Sequence, residues 1–161
     1  MRSRLILILL AAASPLSARG TWELGGKVSV VRDDGGPRLQ AVVTAEYRLM
    51  EYLSWRTDVE ALFTDLSRSS RFDLTIPSNL LWYPLSHRYK IEPYTGPGLS
   101  YTLTSGANSY FGCNYLAGVR FRPEKRSTFG IECKYAVTDI THWGDSQSIA
   151  FGLTGSWEFA F

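Results

Sequence analysis

The sequence predicts an all-β fold, an eight-stranded antiparallel up-and-down transmembrane β-barrel, and three observations carry that prediction. Apolar and polar residues alternate with period two through most of the chain, which puts the two kinds on opposite faces of strands. Turn-rich breaks interrupt this alternation at nearly regular intervals. Finally, the charged residues share a face with Gly, Ser and Thr, while the aromatics share the other. That polarity belongs to a barrel whose outside meets lipid; a soluble eight-stranded barrel would keep its apolar groups inside.

The N-terminal segment is read separately. Arg2 and Arg4 precede an apolar run over residues 5–13, Ser14-Pro15 breaks it, and the small residues Ser17 and Ala18 follow. This pattern predicts a cleaved signal peptide over residues 1–18 and a barrel domain over residues 19–161. The run is far shorter than the ~20 apolar residues of a membrane-spanning helix. Without Arg2 and Arg4, the 17 Lys+Arg fall to 15 and balance the 15 Asp+Glu. A neutral chain with no Gly-rich phosphate loop and no metal-spaced His/Cys cluster gives no support to nucleic acid, cofactor or metal as a partner. No later stretch suits a membrane helix, so entry into a bilayer must be by strands.

The strands follow in order. Residues 21–31 set Trp22, Leu24, Val28 and Val30 against Glu23, Lys27 and Ser29, and Asp33-Asp34-Gly35-Gly36-Pro37 reads as a loop. Residues 38–48 point Leu39, Ala41, Val43, Ala45 and Tyr47 at lipid and Gln40, Thr44 and Glu46 inward. Residues 53–65 set Leu53, Trp55, Thr57, Val59, Ala61 and Phe63 against Ser54, Arg56, Asp58, Glu60 and Thr64. Residues 72–83 turn Phe72, Leu74, Ile76, Leu80 and Trp82 outward, with Pro77 as a weak point. In residues 90–103, the inward Gly96 and Gly98 suit a narrow lumen; no helix pattern follows them, which argues against a phosphate loop. Residues 110–122 and 127–140 flank the turn Pro123-Glu124-Lys125-Arg126. In the last strand, Ile149, Phe151, Leu153, Trp157, Phe159 and Phe161 alternate with Ala150, Gly152, Thr154, Ser156, Glu158 and Ala160. Connections near Arg32, Asp65, Thr104 and Asp139 should be long, and those near Leu49, Pro84 and Pro123 short.

Two further patterns fit this frame. Strand ends on the terminal side carry interfacial aromatics, among them Trp22, Tyr47, Trp55, Trp82, Tyr89, Phe121 and Phe129, as a girdle where lipid meets water. Inward parity sends Glu23, Lys27, Glu46, Arg56, Asp58, Glu60, Asp73, Glu92, Arg120, Glu132, Lys134 and Glu158 into the lumen. Buried charges must be paired, and eight strands leave little free bore, so these residues should form a plugging network rather than line a pore.

Cys113 and Cys133 have outward parity on neighbouring strands. If Phe121 pairs with Phe129, Cys113 faces Val137, too far from Cys133 for a disulfide, so both read as apolar, lipid-facing thiols.

The signal pattern, the eight alternating strands, the segment from Pro93 through Gly98 to Tyr101, Gly118-Val119-Arg120-Phe121 and Trp157-Glu158-Phe159-Ala160-Phe161 together resemble the small OmpA/OmpX-type outer-membrane barrels. The resemblance implies a multi-pass bacterial outer-membrane location in contact with lipid and lipopolysaccharide. It also implies assembly through periplasmic chaperones and the insertion machinery, with Trp157, Phe159 and Phe161 as the insertion signal. No match to a peptidoglycan-binding domain accompanies it. Small barrels of this kind include lipid A deacylases and acyltransferases, which makes His142 and Ser146 the catalytic candidates. Their spacing departs from the deacylase pattern, and on an extended backbone they would stand about 13 Å apart. The reading is therefore a non-catalytic structural, adhesion or binding role in the envelope, with a deacylase-like enzyme using His142 as the alternative and the ligand of the outer loops unassigned.

Overall fold

Strict alternation over eleven or more residues satisfies a sheet only if one face meets an apolar phase, and each such segment forms a strand. The computed structural model describes residues 21–34, 36–63, 72–85, 89–104, 109–144 and 146–160. The strands are β1 (Thr21–Asp33), β2 (Gly36–Met50), β3 (Leu53–Phe63), β4 (Phe72–Trp82), β5 (Ile91–Thr104), β6 (Ser109–Phe121), β7 (Ser127–Val137) and β8 (Gln147–Ala160). Each pairs antiparallel with its neighbours in sequence, and β8 returns to β1 to close the barrel. The closing seam runs in register from Thr21 opposite Ala160 to Arg32 opposite Ile149. Closure leaves no unpaired edge, the requirement for spanning hydrocarbon with strands.

The outer face carries the apolar residues: Val28 is 63% exposed, Val43 67%, Leu99 72% and Leu153 70%. Such a belt is stable only against lipid, and it identifies the barrel as membrane-spanning. The eight-stranded, all-antiparallel, closed architecture expected from the sequence is thus borne out.

Several connections differ from expectation. The loop expected around Asp33 to Pro37 shrinks to two residues, because β1 continues to Asp33, β2 starts at Gly36, and these two residues face each other. Asp-Gly is a short-hairpin signal, Gly36 takes a positive φ of 98°, and an Arg38–Asp33 ion pair crosses the hairpin. On the opposite rim the connection between β4 and β5 spans residues 83–90, longer than the short turn expected there. Pro84 cannot donate to the ladder, and the Tyr83 amide turns to the Tyr52 carbonyl at 2.9 Å. The strand expected to reach residue 140 stops at Val137, where a 3₁₀ turn at Ile140–His142 takes over.

Pro77 does lie inside β4. The β3–β4 ladder is interrupted there, pairing Thr57 with Ser78 and resuming at Glu60 with Thr75. A residue without an N–H leaves this gap, and closure by the other seams carries the strand across it.

Candidate functional site in the lumen

All eight strands send their polar face into the lumen, which is packed with charges in tiers. Nearest the rim where β1 begins and β8 ends, Glu23 meets three arginines: Arg122 at 2.7 Å, Arg120 at 3.1 Å and Arg48 at 3.4 Å. Arg120 also pairs with Glu46 and lies over the rings of Tyr83 and Tyr94, 5.6 and 4.7 Å from their centroids. The Tyr83 hydroxyl donates to Glu46 at 2.5 Å. Arg122 links this tier to Glu92 at 2.7 Å and to Glu158 at 2.8 Å.

Midway through the barrel, Arg56 bonds Asp58 through Nε at 2.7 Å and Nη2 at 3.2 Å. Its Nη1 reaches Glu132 at 2.6 Å. Glu132 further accepts from Lys27 at 2.5 Å and from the Tyr94 hydroxyl at 2.7 Å. Above this tier, Lys134 pairs with Glu60, which also accepts from the Gln40 amide at 3.0 Å. Residues separated by more than a hundred positions in sequence, such as Lys27 and Glu132, thereby bind one another across the bore. Buried ions in such a site are tolerable only when each is paired and hydrogen-bonded, and that condition is met here.

Of the lumen residues expected from parity, Glu23, Lys27, Glu46, Arg56, Asp58, Glu60, Glu92, Arg120, Glu132 and Lys134 are buried and joined in this way. Two differ. Glu158 is only partly buried, because it sits at the terminal rim, although it pairs with Arg48 and Arg122. Asp73 is half-exposed near the opposite rim and has no ion pair among the described residues. Sequence reasoning omitted Arg48, Arg122, Tyr83 and Tyr94 from the network. Continuing the inward parity of Thr44 and Glu46 to residue 48, and of Arg120 to residue 122, would have found the first two.

The loop between β7 and β8 corrects the expected separation of His142 and Ser146. The backbone folds back in the 3₁₀ turn, and Ser146 Oγ lies 2.9 Å from the carbonyls of both Asp139 and His142. The serine hydroxyl therefore donates to backbone carbonyls. The imidazole Nδ1 sits 2.9 Å from Asp139 Oδ2 and 2.9 Å from the Thr141 hydroxyl, and the ring is exposed. The Thr141 hydroxyl and the His142 ring hold the Asp139 carboxyl down at about 2. The arrangement is an acid–imidazole pair beside a serine hydroxyl that is turned to backbone carbonyls.

On the outer face, Trp82, Tyr89, Phe121, Phe129, Trp157 and Phe159 are exposed around the terminal rim. Trp22 and Trp55 are half-exposed there, and the Trp55 indole donates to Ser78 at 2.7 Å. Tyr47 departs from the expectation of a lipid-facing ring, being only 5% exposed. It lies between its cross-strand partners Trp22 and Trp55, with the Trp22 ring centroid 5.0 Å away, so two larger aromatics cover it. Cys113 faces Val137 in the ladder and both cysteines are free thiols. Residues 1–18 and Phe161 lie outside the described residues.

A closed eight-stranded barrel with an apolar belt and a charge-packed lumen defines a class, the small membrane-spanning barrels. Neisserial surface protein A (NspA) shares this fold with a TM-score of 0.65 and 14% identity, over 88% of this chain and 97% of that one. Ail, the attachment invasion locus protein of Yersinia pestis, gives a TM-score of 0.55 and 13% identity, over 88% of this chain and 98% of its own. The outer membrane enzyme PagL gives 0.54 and 9%, over 86% and 99%. No protein-family model matches the sequence, and no curated protein matches it. The expected likeness to small OmpA/OmpX-type outer-membrane barrels is borne out at the level of the fold. The same fold serves an attachment protein and an enzyme, so activity must be argued from the site.

Proposed function

We propose that this protein is an integral barrel of the bacterial outer membrane with a non-catalytic structural or adhesive role in the envelope. The observation that carries the reading is the lumen: Arg56 and Arg120 are buried and bound by carboxylates from several strands, which suits a rigid plug. The apolar belt is matched to outer-membrane lipid and lipopolysaccharide, and chaperones and insertion machinery would act on the chain only during assembly. One structural neighbour carries attachment in its name, in keeping with a role for the loop rim at the cell surface.

An enzyme would need a nucleophile or activated water beside His142, and the Ser146 hydroxyl is turned to backbone carbonyls instead. The test is the mass profile of lipid A from cells with and without the protein, alongside membrane fractionation. The expected result is an unchanged profile with the protein in the outer-membrane fraction. Loss of an acyl chain that depends on the protein and disappears in His142→Ala would replace this reading with the enzymatic one.

A further inference from the structure

On the outer wall, where β7, β8 and β1 meet, the apolar belt is not smooth. Beside the rim where β1 begins and β8 ends, a hollow of about 520 Å³ is lined by Leu24, Phe129, Gly155 and Trp157, with Glu124 and Ser127 at its polar end. Cross-strand pairing explains it: Gly155 stands between Phe129 on β7 and Gly26 on β1, so two neighbouring outward positions of one row carry no side chain. The rows on either side are filled by Trp157 with Leu24 and by Leu153 with Val28, all of them exposed to the bilayer. A Cβ on Gly155 would meet nothing closer than the Phe129 ring at 3.8 Å, so the gap is open space and not tight strand packing.

In the next rows of the same strands a second hollow of about 810 Å³ is bordered by Val28, Ile131, Cys133, Phe151 and Leu153, among others. From Trp157 to Phe151 the two together extend roughly 20 Å along a strand. At a tilt of about 40° this covers about 15 Å of depth, one leaflet of a hydrocarbon core about 30 Å thick. The groove thus has the reach of a lipid chain lying in a single leaflet, with its polar end at that leaflet's interface.

The charges at the polar end select the head of that lipid. Glu124, Lys125 and Arg126 follow one another in the β6–β7 turn, all three are exposed, and their charged groups form no ion pair among the described residues. A carboxylate beside two cations at the mouth of an apolar groove complements a head that holds a phosphate and an amine one short link apart. The phosphate meets Lys125 and Arg126, and the ammonium donates to Glu124. A glycerol head lacks the cation, and a choline head lacks the N–H.

We propose that this groove is a binding site for one phospholipid with a phosphoethanolamine head, its acyl chain laid along β7, β8 and β1 and its head held by the turn at Glu124, Lys125 and Arg126. The inference needs only that the barrel spans a bilayer and is independent of the adhesive reading above. The experiment is native mass spectrometry of the whole barrel in detergent, titrated with phosphatidylethanolamine, phosphatidylglycerol and phosphatidylcholine of identical acyl chains. The wild-type protein is expected to retain one phosphatidylethanolamine with about threefold higher affinity than either of the others, the scale of one exposed charge pair. Glu124→Gln should erase the preference over phosphatidylcholine. Replacing Lys125 and Arg126 together by Gln should weaken all three lipids alike, since each carries the phosphate. Gly155→Leu, which fills the groove from its floor, should abolish retention, whereas Ala41→Leu, the same bulk added elsewhere on the outer face, should leave it unchanged. Heat-modifiable migration verifies that the variants are folded. Equal retention of the three lipids by the wild-type protein overturns the proposal, as does a preference for phosphatidylglycerol, an unaltered preference in Glu124→Gln, or undiminished retention in folded Gly155→Leu.

Discussion

At the scale of single residues, the two faces of each strand impose opposite chemistry. Val43 stands outward near mid-strand and is 67% exposed, so Val43→Arg places a guanidinium in the hydrocarbon and should destabilise the barrel by about 2 to 4 kcal/mol. Urea unfolding in lipid vesicles measures this, with Glu124→Arg in an exposed turn as the comparison; equal stability of the two variants would mean the outward face is misassigned. Inside, the logic reverses. Arg56→Met strips Asp58 of its bidentate partner and should cost about 3 to 5 kcal/mol, and adding Asp58→Leu should restore part of that loss. A double variant no more stable than the single one would show that the pair is not the source of the penalty. Parity made both faces readable at this scale, including the buried Arg56. It could not reveal that Tyr47 is covered by Trp22 and Trp55, because alternation gives the side a residue faces and not what its neighbours shield.

At the scale of elements, glycines show where strands press together. A Cβ on Gly96 would collide with the backbone carbonyl of Leu80, whereas one on Gly155 would meet nothing closer than the Phe129 ring at 3.8 Å. Gly96→Ala should therefore destabilise by about 1 to 3 kcal/mol, and Gly155→Ala should be near neutral, both read by denaturant midpoints in detergent. Comparable effects at the two sites would contradict the packing of β4 against β5. The inward Gly96 and Gly98 were legible as marks of a narrow lumen. The 3₁₀ turn after β7 was not, because its order comes from Asp139, which caps the turn through the Thr141 amide at 2.8 Å and also binds the Thr141 hydroxyl and the His142 ring. That carboxyl is held down at about 2, so its contribution to the turn is complete above the ordinary carboxylate range and fades as pH falls through the folded value. An NMR titration should place the Asp139 midpoint near pH 2, with the Thr141 amide signal moving in step; a midpoint near 4 would mean the cap does not persist in solution.

At the scale of the whole molecule, closure and lumen packing act together. The alternation announced the barrel because period two over eight segments has no other membrane-compatible solution. The identity of the plug was only half legible: sequence supplies which residues face inward, but pairings such as Lys27 with Glu132 depend on strand tilt and stagger, which parity does not encode. Since every strand is hydrogen-bonded on both sides, the barrel should resist detergent until boiled, and unboiled and boiled samples should migrate differently. The packed lumen then makes a sharper demand. Reconstituted in planar bilayers, the wild-type protein should give no discrete conductance steps, because Arg56, Asp58 and Glu132 block the middle of the bore through contacts that no single ion can displace without unpairing a buried charge. Removing the two central arginines with Arg56→Ser and Arg120→Ser should strip Asp58 and Glu46 of their guanidinium partners in a widened, hydrated bore, and any conductance that appears should favour cations. Steps of equal size in wild type and variant would show that ions bypass these residues and that the lumen is not sealed by the arginine–carboxylate network.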